Sequence, residues 1–474
     1  MPTATTSRTS ALAAALSACA AAACFAGPSA AAEGGHVGPP QGAGGGYVPG
    51  EVLVRFAGGG GERSVELPDG VGVEQAVGAL ESNPSVEYAA PNHIAHVSGG
   101  ASASAGVGGR FVPNDQGTGG GWQQLQWNFL PCGSFCGQTP AEPTLESPGG
   151  IDAPGAWQNL IEAKQPGGEG VTVAVVDTGV AYRDLGDEFR RSPDFGAKQF
   201  VPGHDFIEDD SIALDENGHG THVAGTIGEQ ANNRRALTGL AYGAKIMPVR
   251  VLNAHGAGTA KNVGRGIRWA ARHGADIINL SLEFCVSACN ANAQVRACED
   301  VPGVCEAIDR AQQLGAIVIG SAGNEAADQV SFPGRHAMAI GATTERGCLA
   351  EYANHGEGLD MVAPGGGSDG NVPGPQCAPF TGGRTIFQLT LEKPRKNGFL
   401  KFGYPNYEGC SMASAHVAGA AALVWAQLRE VLGRPPTPDE VETRLEVTAR
   451  RAGILSSAPL YGAGLLDAAA ATEL

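Results

Sequence analysis

The chain has 474 residues, with 48 acidic against 31 basic side chains, a formal charge of −17, 72 glycines, 30 prolines and 11 cysteines. A carboxylate surplus of this size argues against nucleic acid, whose phosphates are met by Lys and Arg, and equally against an anionic membrane surface. Glycine and proline make about a fifth of the residues, below the quarter or more of a disordered chain, so this is a loop-rich globular protein.

Residues 1–32 hold Arg8, no acid, an alanine-dominated run from Ala11 to Gly27, and small residues at Ala30 and Ala32. This is the pattern of an export leader removed on secretion, and a run of about 17 weakly apolar residues falls short of the roughly 20 needed for a span. The expectation is a secreted protein, extracellular or periplasmic, with no membrane span. Leu16 to Cys19 carries a second reading, a lipoprotein box that would anchor the chain through Cys19.

After a Gly/Pro/Ala stretch from Glu33 to Gly46, EVLVRF (51–56) alternates, placing Val52, Val54 and Phe56 on one face and Glu51 and Arg55 on the other. A helical segment from Glu74 and a strand from Ser85 complete a small α+β module at about 47–97, too small to be very stable alone. Ser98 to Gly109 is again glycine- and serine-rich, and residues 99–121 read as a flexible linker.

Beyond Trp122 the texture changes. Short apolar runs at 171–176, 246–251, 276–281, 316–321 and 337–342 alternate with helical segments such as the one from Thr259. Near-continuous apolar strands separated by helices specify a parallel sheet covered on both faces, a three-layer α/β domain over residues 122–474. Met412 to Leu428 reads as a buried central helix, and Thr437-Pro438-Asp439-Glu440 opens another with a capping box.

In an exported protein the cysteines should pair. Cys132 with Cys136, a group of Cys285, Cys289, Cys298 and Cys305, and Cys348 with Cys377 leave Cys410 as the odd one. Zinc is the competing reading of the CxxxC spacings, but no histidine follows at a finger-like interval.

In a parallel sheet the chemistry lies beyond the carboxyl ends of the strands, where VAVVDTG puts Asp177. NGHGTHVAGTIG (217–228) supplies His219 and His222 at a helix start, and GCSMASAHVAG (409–419) places Ser411 near the positive end of a helix dipole, suited to a nucleophile. An esterase of the α/β-hydrolase type would show GxSxG and the order Ser, acid, His, and neither is present.

The order Asp177, His219, Ser411, with SAGNE and the terminal YGAGLLDAAAA, resembles the subtilisin-like serine peptidases from about Trp122 to the C-terminus. The resemblance implies Ser411 as nucleophile, His219 as base, Asp177 as its orienting acid, and Asn324 as oxyanion donor, with no catalytic cofactor. His222 and His416 become packing histidines. It also implies protein or peptide substrates bound between Gly256-Ala257-Gly258 and Ser281-Leu282-Glu283, with Ser331 at the floor of the primary specificity pocket and Glu325 at its rim. A neutral floor argues against strict basic specificity. Residues 33–98 would be a propeptide acting as intramolecular inhibitor, the enzyme a monomer.

Three positions depart from the family pattern: Cys410 stands where Thr is usual, Ala415 where Pro is, and Glu283 where Gly is, and a catalytically silent relative would explain them differently. Structural calcium, common in the family, has two candidate places. One is the acidic loop with Asp205, Asp210 and Asp215, where a solvated loop is the alternative, and the other is Asp184 with Asn233. The insertion at 370–407 has no reading from sequence.

Overall fold

The computed structural model describes residues 47–56, 62–68, 71–97, 113–115, 121–132, 146–235, 237–285, 289–372, 377–451 and 456–473. The expected leader, the stretches 33–46 and 98–109, and Cys136 lie outside them.

The N-terminal module consists of β1 (Tyr47–Phe56), β2 (Arg63–Glu66), α1 (Val73–Glu81) and β3 (Val86–Val97), with β1 antiparallel to both other strands. Its core is small: Val52, Val54, Val65, Val73, Ala76, Ala79, Leu80 and Ala89. The alternation of β1 therefore holds for Val52 and Val54. Its other face is covered too, because Leu53 joins a core of the larger domain.

That domain carries α2 (Ala153–Glu162), β4 (Thr172–Asp177), β5 (His204–Asp205), α3 (His219–Gly228), β6 (Lys245–Arg250), β7 (Ala257–Thr259) and α4 (Ala260–Arg272). There follow β8 (Ile277–Leu280), β9 (Leu282–Phe284), α5 (Pro302–Gln313), β10 (Ile317–Ser321), β11 (Met338–Thr343) and β12 (Met361–Pro364). Two short antiparallel pairs, β13 (Ile386–Phe387) with β16 (Asn406–Tyr407) and β14 (Thr390–Leu391) with β15 (Phe402–Gly403), precede α6 (Cys410–Leu432), α7 (Pro438–Thr448) and α8 (Ala468–Thr472).

Seven strands form one parallel sheet in the order β12-β11-β10-β8-β4-β6-β5. Successive residues serve opposite faces, as the period of two requires. Val173 and Val175 join the core with α2, α3 and α6, while Ala174 and Val176 join the one with α4 and α5. Ile277 and Ile278, or Ile317 and Val318, divide the same way. α6 is buried on every side from Cys410 to Gln427, which is why it is apolar all round. Among the described residues no helix is long and apolar enough to cross a membrane.

Disulfides join Cys285 to Cys289, Cys298 to Cys305 and Cys348 to Cys377, while Cys410 is free and buried. Cys132 is disulfide-bonded as well. These bonds remove the zinc reading of the CxxxC spacings, since Cys132, Cys285 and Cys289 have no free thiolate, and neither do Cys298 and Cys305 beside His336.

Part of the expected linker belongs to the domain instead. Trp122 donates its indole N–H to Pro113 O at 3.0 Å, and buried Asp115 accepts the backbone N–H groups of Asn232, Asn233 and Arg234 at 2.8, 2.8 and 2.9 Å.

Candidate active site

Asp177 is the last residue of β4, at the carboxyl end of the sheet and fully buried. Its oxygens lie 2.9 and 3.0 Å from Nδ1 of His219, the first residue of α3. The turn that delivers His219 is built around Asp215, whose carboxylate accepts from the N–H of Asn217 and Gly218, from Thr221 N–H and Oγ1, and from Thr178 Oγ1, at 2.6–3.0 Å. Gly220 lets the helix approach the strand: a Cβ there would come 2.2 Å from Gly179 O and 3.1 Å from the Asp177 carboxylate. The contact with the acid favours the tautomer protonated on Nδ1 and leaves Nε2 buried and without a hydrogen-bond partner among the described residues.

Ser411 is the second residue of α6, and its Oγ donates to Ser281 O at 3.0 Å. In return Ser281 Oγ donates to Ser411 O at 2.9 Å, tying the helix start to the chain between β8 and β9. Asn324, just after β10, accepts the Cys410 N–H on Oδ1 at 2.8 Å. That bond fixes the amide plane and leaves Nδ2 a buried donor beside the Glu283 carboxyl, without a hydrogen bond of good geometry among the described residues. An unpaired buried donor costs free energy unless something arrives to accept from it.

His222 and His416 are neutral. Burial lowers them to about 3 and about 4, and each is spent on packing bonds: His222 Nε2 donates to Ile386 O at 3.1 Å, and His416 Nδ1 donates to Met412 O at 2.8 Å. Cys410 Sγ donates to Gly323 O at 3.0 Å, and burial holds its thiol far above the usual range.

The two expected substrate edges both carry a strand. β3 pairs antiparallel with β7, Ala95 opposite Gly258 and His96 opposite Ala257, and with β9, His96 opposite Glu283 and Val97 opposite Leu282. The N-terminal module thus places its own last strand between the edges, immediately before Ser281 and its partner Ser411. Ser331 is buried, its Oγ donating to Ala322 O at 2.9 Å. Glu283 is 3% exposed, and Gln294, which sequence reading passed over, donates its amide to Glu325 and lies 3.4 Å from Glu283 Oε2.

Of the acids expected to hold calcium, Asp205 and Asp210 pair through their backbones, but among the described residues no three acids bring their oxygens together. Asp205 is paired with Arg250 at 2.9 Å, Asp210 accepts the Ile212 N–H at 2.6 Å, and Asp215 is the hub of the histidine turn. Asp184 accepts from Arg191 N–H, while the Asn233 amide donates to Asp194 at 2.5 Å. The loop at Asn232–Arg234 aims N–H groups at Asp115, which suits an anion rather than a cation. As arranged, these residues do not fit a calcium ion. Asp194 and Glu229, neither flagged by the sequence, are buried nearby, and burial pushes Asp194 up to about 6 and Glu229 well above the carboxylate range.

Residues 168–464 match the family model described as "Subtilase family". The chain belongs to the subtilase family. It is 34% identical over 309 residues to Subtilisin Savinase of Lederbergia lenta, covering 65% of this chain and 92% of that one. An alkaline protease of Alkalihalobacillus alcalophilus is also 34% identical over 309 residues, with 65% of each chain covered. Among solved structures, a protease of Pseudoalteromonas arctica superimposes with a TM-score of 0.51 at 28% identity, covering 68% of this chain and 94% of that one. The subtilase is therefore a serine endopeptidase by family, and the matched region begins just before β4, which ends on Asp177.

Proposed function

We propose that this subtilase cleaves peptide bonds through an acyl-enzyme on Ser411 and is made as a precursor inhibited by its N-terminal module. The observation that carries the reading is a pair of buried atoms that make no hydrogen bond of good geometry, His219 Nε2 and Asn324 Nδ2. One is a base with its tautomer favoured by Asp177; the other is a donor with its direction fixed by Cys410 N–H.

Substrate adds as a strand between β7 and β9. Ser411 Oγ leaves Ser281 O, gives its proton to His219 Nε2 and attacks the carbonyl carbon. The oxyanion takes bonds from Asn324 Nδ2 and the Ser411 N–H at the start of α6, where the helix dipole also favours negative charge. His219 returns the proton to the leaving amine, and water repeats the sequence to free the acid. Asp177 stabilises the imidazolium.

The position of β3 between the edges supports an inhibitory propeptide at residues 47–97, because substrate cannot add where a strand is already paired. Three disulfides among the described residues support an oxidising, extracytoplasmic location reached through the leader.

A fluorophosphonate probe should label the purified active protein at Ser411 and fail on Ser411→Ala, and Edman sequencing of the labelled species should begin after residue 97. Labelling that persists in Ser411→Ala overturns the nucleophile. Labelled enzyme that still begins at Glu33 overturns the propeptide.

A further inference from the structure

We propose that Glu283 and Glu325 form an acidic primary specificity site that selects a lysine or arginine immediately before the scissile bond. This rests on the serine peptidase reading and names its substrate class.

Glu283 is the middle residue of β9, the edge on which substrate would pair, yet its side chain is almost fully buried. It is turned inward against Glu325, the residue after Asn324, and touches the Asn324 side chain. Glu325 in turn accepts the Asn324 N–H at 2.9 Å and the Asn354 amide at 3.2 Å. Both acids act electrostatically on Cys410, the neighbour of Ser411, so they stand beside the reacting centre.

A disulfide-closed segment holds them there. Closed at its ends by Cys285–Cys289 and Cys298–Cys305, it adds alongside β9 through Val295 N–H to Phe284 O at 2.9 Å and Phe332 N–H to Val295 O at 2.8 Å. This puts Gln294 between the carboxyls, donating to Glu325 and within 3.4 Å of Glu283. Gln294, Ser331 and Asn354 crowd the position a Cβ on Gly323 would take, so Ser331, expected at the pocket floor, packs beside the residue that bridges the two acids.

Among the described residues neither carboxyl has a cationic partner. A buried carboxyl beside another carboxyl resists ionising. Burial and the neighbouring Glu325 keep the Glu283 carboxyl well above the usual range, so at rest it holds a proton. A substrate ammonium or guanidinium entering the pocket reverses this: the proton leaves, both carboxylates pair with the cation, and its apolar stem lies along the wall. A large apolar side chain would bury the pair without satisfying it. The strand now lying between the edges, Ile94–Val97, offers no Lys or Arg.

The test uses mature enzyme counted by fluorophosphonate titration, and peptide amides differing only in the residue before the scissile bond: Arg, Lys, citrulline, Ala or Phe. The expected kcat/KM is at least tenfold higher for Arg and Lys than for citrulline, which has the shape of Arg without its charge. Glu283→Gln should shrink the Arg-to-citrulline ratio towards unity, and Glu325→Gln should shrink it in part. Should Glu283→Gln fail to fold, Glu283→Gly provides the same comparison. Wild type that prefers Phe or Ala, or a ratio unchanged in the variants, overturns the proposal while leaving the peptidase reading intact. No hydrolysis of any peptide and no labelling at Ser411 instead overturns the peptidase reading itself.

Discussion

The residues next to the reacting atoms are fixed by bonds that a linear reading sees only as residue types. That Asp177 and His219 meet could be expected from motifs; that Asn324 is oriented by the N–H of Cys410 could not, because backbone donors carry no sequence signal. Cys410 illustrates the difference. Its place beside the nucleophile raises sensitivity to thiol reagents as an expectation, yet the side chain is fully buried, donates to Gly323 O, and has its thiol held protonated by burial and by the nearby Glu283 and Glu325 carboxyls. A neutral, enclosed thiol is a poor nucleophile. Native enzyme treated with excess iodoacetamide should therefore keep its activity and gain no mass at Cys410, whereas unfolded chain should be alkylated there. Loss of activity in step with alkylation of the native protein would show that the site opens.

At the scale of elements, legibility followed the strength of the periodic signal. The five long apolar runs all became strands of the central sheet, since a strand buried on both faces leaves little room for polar residues. β5, two residues long, gave too short a pattern to read, and β12, which ends on Pro364, also went unread. The insertion at 370–407 was opaque for a related reason: its pairs are two residues each and its role is tertiary. It packs against α3, with the Tyr407 ring 4.6 Å from that of His222 and Thr390 Oγ1 donating to Gly218 O. Helix starts, by contrast, are local and were readable. At α7 Thr437 Oγ1 accepts the Glu440 N–H at 3.3 Å, Glu440 accepts the Thr437 N–H at 2.8 Å, and Arg434 grips the same carboxylate. Thr437→Ala should lower stability by about 1 kcal/mol, the usual worth of such a cap. In a Ser411→Ala background, which prevents autolysis, this should appear as a lower urea midpoint with the slope unchanged. An unchanged midpoint would mean that packing on α6 alone holds the helix.

Across the whole molecule, the small module is completed by the large one. Beyond Leu53 in the shared core, Arg55 pairs with Glu306 on α5, and Asn92 accepts the Lys261 N–H at 3.2 Å in the first turn of α4, a donor with no partner inside its own helix. The acid surplus also has a cost at this scale, because several carboxyls share desolvated ground. Glu442 on α7 is raised to about 7, chiefly by burial and then by Asp360, Asp439 and Glu446; Asp360, before β12, is raised to about 6 by burial although it accepts the Ala339 N–H at 2.6 Å. Arg451 faces Glu446 but gives Glu442 no relief. In the folded chain these groups keep protons that the unfolded chain has lost, so the stability they contribute is present below about pH 4 and is lost as pH rises through about 7. Glu442→Gln, again in the Ser411→Ala background, should therefore leave Tm nearly unchanged at pH 4 and raise it at pH 8. The gain should correspond to about 1 kcal/mol once partial exposure of the group is allowed for. Calorimetry at both pH values separates this from a packing effect, which would shift Tm equally at the two. A variant less stable at pH 8 than at pH 4, relative to its parent, would mean that Glu442 is ionised and paired in the folded protein.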